Sequence, residues 1–152
     1  MGSQTTATGN GKSGRVLVVD DAVVVRQSVC MALAHAGYEV VEAESGEQAI
    51  KVAQDVRNPL VVDVILCEIR MSSGNGVETI AFFRREYPTI PVVALTAYPD
   101  VELAVSLMWR GVFDFLVKPV VPEELQRVVD AARRLRFPRE AGGAGRALDG
   151  DR

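Results

Sequence analysis

The chain has 152 residues, 48% of them hydrophobic and 24% charged, which suits a single globular domain and excludes extensive disorder. Seventeen Lys+Arg against 20 Asp+Glu leave a formal charge of −3, which excludes a broadly basic nucleic-acid coat. No apolar run approaches the roughly 18–20 residues of a membrane span, and the first ten residues lack the basic start and apolar stretch of a secretory signal.

Residues 1–14 are small and polar and read as a flexible arm, residues 138–152 read as a flexible tail, and 15–137 form one domain without internal repeats. Val16 to Val19 is a continuous apolar run of the kind buried on both faces of a sheet, and it ends in Asp20-Asp21. Ala22 to Ala36 has helical spacing, with Gly37 as its stop. Tyr38 to Ala43 reads as the second strand. Ser45 is an N-cap for a helix through Asp55, with Gln48 placed for a capping box. Val61 to Cys67 is the third strand, residues 72–76 a loop, and Val77 to Glu86 a helix ended by Tyr87-Pro88. Pro91 to Leu95, Asp100 to Arg110 and Phe113 to Val117 continue as strand, helix and strand. Pro122 opens a last helix running to about Phe137, since a missing N–H costs nothing in a first turn.

Five strands alternating with five helices imply a parallel five-stranded sheet with right-handed crossovers, a three-layer α/β/α sandwich. In such folds ligands meet the carboxyl ends of the strands. There the sequence collects Asp20 and Asp21 after the first strand, Glu68 after the third, Thr96 after the fourth and Lys118-Pro119 after the fifth. Clustered carboxylates repel unless a cation sits among them, and Mg²⁺ answers that need with oxygen ligands. A hydroxyl and an ammonium opposite such an ion are the parts that hold a phosphoryl group. Cys30 and Cys67 are too few and too isolated for a disulfide framework or a zinc site, so a reducing, cytoplasmic compartment is expected.

The segments Val16-Leu17-Val18-Val19-Asp20-Asp21, Ala94-Leu95-Thr96-Ala97 and Gly111-Val112-Phe113-Asp114-Phe115-Leu116-Val117-Lys118-Pro119 carry a specific resemblance. The sequence resembles the receiver domain of bacterial two-component response regulators across residues 15–137. The resemblance implies the flavodoxin-like (βα)5 fold with strand order 2-1-3-4-5. It implies that Asp20, Asp21, Glu68 and a backbone carbonyl near Arg70 surround Mg²⁺, held weakly or not at all. It further implies that Thr96 and Lys118 contact phosphoryl oxygens, and that Thr96 and Phe115 form the switch. The implied partners are signalling proteins, a histidine kinase or an output protein, or a second copy through the face of the fourth helix, fifth strand and fifth helix. Neither a membrane nor nucleic acid is an expected partner, and no catalytic residue is implied.

One position departs from that pattern. Where the family carries its phosphate-accepting aspartate, this sequence carries Glu68, and Ser72 replaces the proline usual shortly after it. Asp63 is no substitute: five residues upstream, it lies roughly 16 Å away along an extended strand and on the other face. Glutamate reaches roughly 1.3–1.5 Å further than aspartate. In-line transfer tolerates little, since a 1 Å error costs about 100-fold. Glu68 is therefore expected to reach Lys118 or Thr96 and imitate part of the phosphorylated arrangement, making this an atypical receiver acting by protein–protein interaction. The alternative is an ordinary Mg²⁺-dependent phosphoacceptor with self-phosphatase activity. For Lys118, two readings stay open: a phosphoryl ligand, or an ammonium that neutralises acids.

On the fourth helix, Val101, Ala104, Val105 and Met108 share one face, taken as the core face, with Leu103 on the far side and Trp109 on the flank as a partner surface. Arg133, Arg134, Arg136 and Arg139 read as a solvated helix end.

Overall fold

Runs of Val, Leu and Ile without polar alternation build the three central strands, covered on both faces, and in the computed structural model, which describes residues 14–71, 74–97 and 101–141, they line up with two more exposed edge strands as one parallel sheet. Its strands are β1 (Arg15–Val19), β2 (Glu39–Ala43), β3 (Val64–Glu68), β4 (Val92–Thr96) and β5 (Asp114–Val117), in the order β2-β1-β3-β4-β5. Arg70–Met71 and Gly74–Asn75 form a short antiparallel pair beyond β3. The third strand starts at Val64, three residues later than its apolar run suggests. Val61 is still in solvent, and Asp63 serves as the anchor, its Oδ2 accepting from the Arg15 backbone N–H at 2.9 Å.

The helices are α1 (Val23–His35), α2 (Gly46–Gln54), α3 (Gly76–Glu86), α4 (Val101–Trp109) and α5 (Pro122–Ala141). Glycine closes two of them in the same way. Gly37 and Gly111 have φ of 96° and 93°, a conformation an L side chain resists. In each case the next N–H reaches back to a carbonyl five residues earlier, Tyr38 to Leu33 at 3.0 Å and Val112 to Leu107 at 3.1 Å. At the start of α2 the Ser45 Oγ accepts from the Gln48 N–H at 3.0 Å, while the Gln48 Oε1 accepts from the Glu44 N–H at 2.6 Å. The box thus closes one residue earlier than the ordinary motif. Helix α5 continues past the expected end at Phe137, through Pro138 to Ala141, although an interior proline removes a helix hydrogen bond. The arm before residue 14, Ser72, Asp100 and the tail beyond Ala141 lie outside the described residues.

Strand alternation sorts the core into two layers. Leu17, Val19, Ile65, Cys67, Val92 and Ala94 pack with Ala49, Ala53, Ile80, Phe83 and Leu107, so α2, α3 and α4 cover one face. Val16, Val18, Val64, Leu66, Val93, Leu95 and Leu116 pack with Val29, Leu33, Leu125, Val128 and Val129, placing α1 and α5 on the other. Beside this second layer, buried Tyr38 donates its hydroxyl to the Asp130 carboxylate; burial first, and then that hydrogen bond, raise the phenol's pKa.

Helix α4 corrects the sequence reading. Leu107 is fully buried and Leu103 packs partly buried against the core, so Leu103 does not point to the far side of the helix as its spacing suggested. Val101, Val105 and Met108, expected inside, are 79%, 50% and 47% exposed, and Trp109 is 85% exposed. The helix is apolar nearly all round, so periodicity offers two stripes and cannot choose between them. Leu103 and Leu107 fill the gap over the sheet, and Val101, Val105, Met108 and Trp109 face water.

Candidate functional site

Asp20, Glu68 and Lys118 meet at the carboxyl edge because β1 and β3 are neighbours in the sheet and β5 ends on the same edge across β4. Asp20 is fully buried and Glu68 is 3% exposed. The Lys118 ammonium stands between them, 2.8 Å from Asp20 Oδ2 and in contact with Glu68 Oε1. The remaining oxygens are held by backbone donors: Asp20 Oδ1 by the Ala22 N–H at 3.0 Å, and Glu68 Oε2 by the Arg70 N–H at 2.9 Å. Among the described residues, Asp20 Oδ2 and Glu68 Oε1 have no donor besides that ammonium, which meets them as a charge contact rather than by aligned hydrogen bonds. Burial works to lower the Lys118 pKa, but the two carboxylates outweigh it and hold the ammonium above the ordinary lysine value.

Local structure fixes each part. The Lys118 N–H donates to the Thr96 carbonyl at 2.8 Å, which ties the base of the lysine to the end of β4, and the Lys118-Pro119 peptide is cis. The Arg26 guanidinium donates to the Asp20 carbonyl at 2.6 Å and pairs with Glu42, binding α1 to the end of β1. Helix α3 begins against the end of β3, where the Gly76 N–H donates to the Ile69 carbonyl at 2.8 Å. A Cβ on Gly76 would overlap the Glu68 carbonyl oxygen and lie 2.9 Å from the Ile69 Cα, both backbone atoms that cannot swing aside. Gly76→Ala is therefore expected to cost about 1–3 kcal/mol, read by urea unfolding, and a neutral substitution would show that this approach is loose.

The other expected site residues fall nearby. Thr96 is buried at the end of β4, and Phe115, which pairs in register with Ala94, packs partly buried against the layer under α4. Asp21 follows Asp20 and is half-buried, while the Arg70 side chain is exposed. Neither thiol takes part: burial, then Glu42, pushes Cys30 up to about 12, and burial, then Glu68, raises Cys67.

The response regulator receiver domain family matches residues 16–130. The chain belongs to that family. Regulatory protein AtoC of Escherichia coli is 35% identical over 121 residues, 80% of this chain and 25% of that protein. The alginate biosynthesis transcriptional regulatory protein AlgB of Pseudomonas aeruginosa is 34% identical, over 84% of this chain and 27% of its own length. The receiver thus spans about a quarter of these relatives. The solved receiver domain of NtrX from Brucella abortus superposes with a TM-score of 0.71 at 29% identity, over 78% of this chain and 98% of that one. Receivers of two-component response regulators are signalling modules rather than enzymes, and they interact with histidine kinases and output domains. No helix among the described residues is long and apolar enough to cross a membrane.

Receivers in general bind Mg²⁺ at the phosphorylation site. In this one the side chains do not fit the ion as they stand. The Lys118 ammonium stands on the two facing oxygens, Asp20 Oδ2 and Glu68 Oε1, where a bridging ion would sit, and no group of three or more His, Cys, Asp or Glu among the described residues is arranged to hold a metal. Sequence reading anticipated every member of this cluster but left the role of Lys118 open, because its pairing depends on strands that are neighbours only in the sheet.

Proposed function

We propose that this receiver is atypical: Glu68 stands at the phosphoacceptor position, and the domain signals by protein contact without aspartyl phosphorylation. The observation that carries this is the Glu68 carboxylate held between the Lys118 ammonium and the Arg70 N–H. A carboxylate so engaged has little freedom to attack a phosphorus atom in line, and its extra methylene displaces it from the position an aspartate would take. Thr96 and Lys118 are the phosphoryl-pocket residues of the family pattern, and Thr96 with Phe115 its switch. In this reading the Glu68 charge substitutes for part of what a phosphoryl group supplies. The signal is presented by α4, β5 and α5, where Val101, Val105, Met108 and Trp109 on α4, Val117 at the end of β5 and Val121 just before α5 are all exposed. The partners are an output protein, a histidine kinase or a second copy, met in the cytoplasm.

Incubation with acetyl phosphate and Mg²⁺ is the test. The intact mass should stay unchanged in the natural chain, whereas Glu68→Asp should gain one phosphoryl group. Stable labelling of Glu68 itself would return the protein to the ordinary phosphoacceptors.

A further inference from the structure

We infer that the Lys118 ammonium is the resident cation of the acidic rim, so that this receiver balances its buried carboxylates without a divalent ion. Two carboxylates as buried as Asp20 and Glu68 need a counter-charge, since burial in a low dielectric penalises their charged forms. The place where such a charge acts on both is between Asp20 Oδ2 and Glu68 Oε1, and the ammonium is already there. The outer oxygens are committed to the Ala22 and Arg70 N–H groups. A magnesium ion requires oxygen lone pairs at about 2.0–2.1 Å in near-octahedral array, so it would have to expel the ammonium and then tolerate it nearby.

Expulsion is opposed by tethering. The lysine backbone is fixed by its hydrogen bond to Thr96, so its head group returns to the carboxylates as an intramolecular ligand. Even a short flexible tether gives an effective concentration on the order of millimolar, comparable with the free Mg²⁺ it competes against. The identity of residue 68 matters to this contact. Glutamate extends about 1.5 Å beyond aspartate, which carries Oε1 to the ammonium while Oε2 keeps the Arg70 N–H. The inference concerns the ion alone and stands apart from whether Glu68 accepts phosphate.

The test uses Mn²⁺ as the probe, with free ion counted by electron paramagnetic resonance and no phosphodonor present. Thermal midpoints are compared in EDTA and in millimolar MgCl₂ at matched ionic strength. The natural chain should bind no Mn²⁺ below millimolar concentration, and its midpoint should be the same in both buffers. Lys118→Met removes the ammonium and should gain Mn²⁺ affinity about tenfold or more, with a midpoint that rises in MgCl₂. Glu68→Asp keeps the lysine but withdraws the carboxylate, and should gain in the same direction; it decides the matter if Lys118→Met does not fold. Saturable submillimolar binding by the natural chain overturns the inference, as does a failure of the folded variants to gain affinity.

Discussion

In metal-free buffer, Lys118→Met is expected to lower the unfolding free energy by about 3–5 kcal/mol, measured by urea denaturation. The size follows from what is left behind. Asp20 Oδ2 and Glu68 Oε1 would lose their shared ammonium while remaining buried, with no other donor among the described residues. Glu68→Gln should cost less, because the ammonium keeps Asp20. The double substitution should fall short of the sum, since both changes act on one contact. The pH dependence has a definite sign. Lys118 is raised in the folded state, so its contribution is fully present below the ordinary lysine pKa and is lost as pH rises through the higher folded value. From neutral pH to mildly alkaline pH the lysine-dependent difference should therefore stay flat and decline only at strongly alkaline pH. A loss below about 1 kcal/mol would mean that the pair behaves like a solvated surface bridge.

Leu107→Ala is expected to cost about 2–5 kcal/mol, whereas Trp109→Ala and Val105→Ser should stay within about 0.5 kcal/mol. These residues lie within five positions of one another on α4, and their side chains have opposite environments. Leu107 is fully enclosed against the sheet, and its carbonyl also accepts the Val112 N–H that closes the helix. Truncating it leaves a cavity that the backbone, pinned at that closure, cannot collapse to fill. Trp109 and Val105 lose little on truncation because they bury little. If the Trp109 variant unfolds as readily as the Leu107 variant, then α4 is rotated so that Trp109 faces the core. If instead the exposed substitutions leave stability intact but abolish binding to a partner, the exposed stripe is the surface through which this receiver acts.

The sheet and its rim were largely legible in the residues. Apolar β-branched runs specify strands buried on both faces, and the residue after each such run must emerge at one edge, whichever order the strands take. That places Asp20, Glu68, Thr96 and Lys118 together without any knowledge of contacts. The glycine stops were readable for the same local reason, since Gly37 and Gly111 supply a backbone conformation that other residues resist. The exit of the third strand's first residues was not readable, because Val61 and Val64 differ in burial and not in chemistry.

What the chain determined by itself is therefore whatever depends on near neighbours: element type, helix ends and the chemistry lining the carboxyl edge. Tertiary structure alone decided two things. It chose between the two apolar stripes of α4, a choice made by the shape of the gap between that helix and the sheet, to which Leu103 and Leu107 are fitted and Val101 and Val105 are not. It also decided that Lys118 faces Asp20 and Glu68 at once, joining residues from three strands that are far apart in the chain. An ion pair depends on distances of a few ångströms, and those are set by strand order and register rather than by spacing along the sequence.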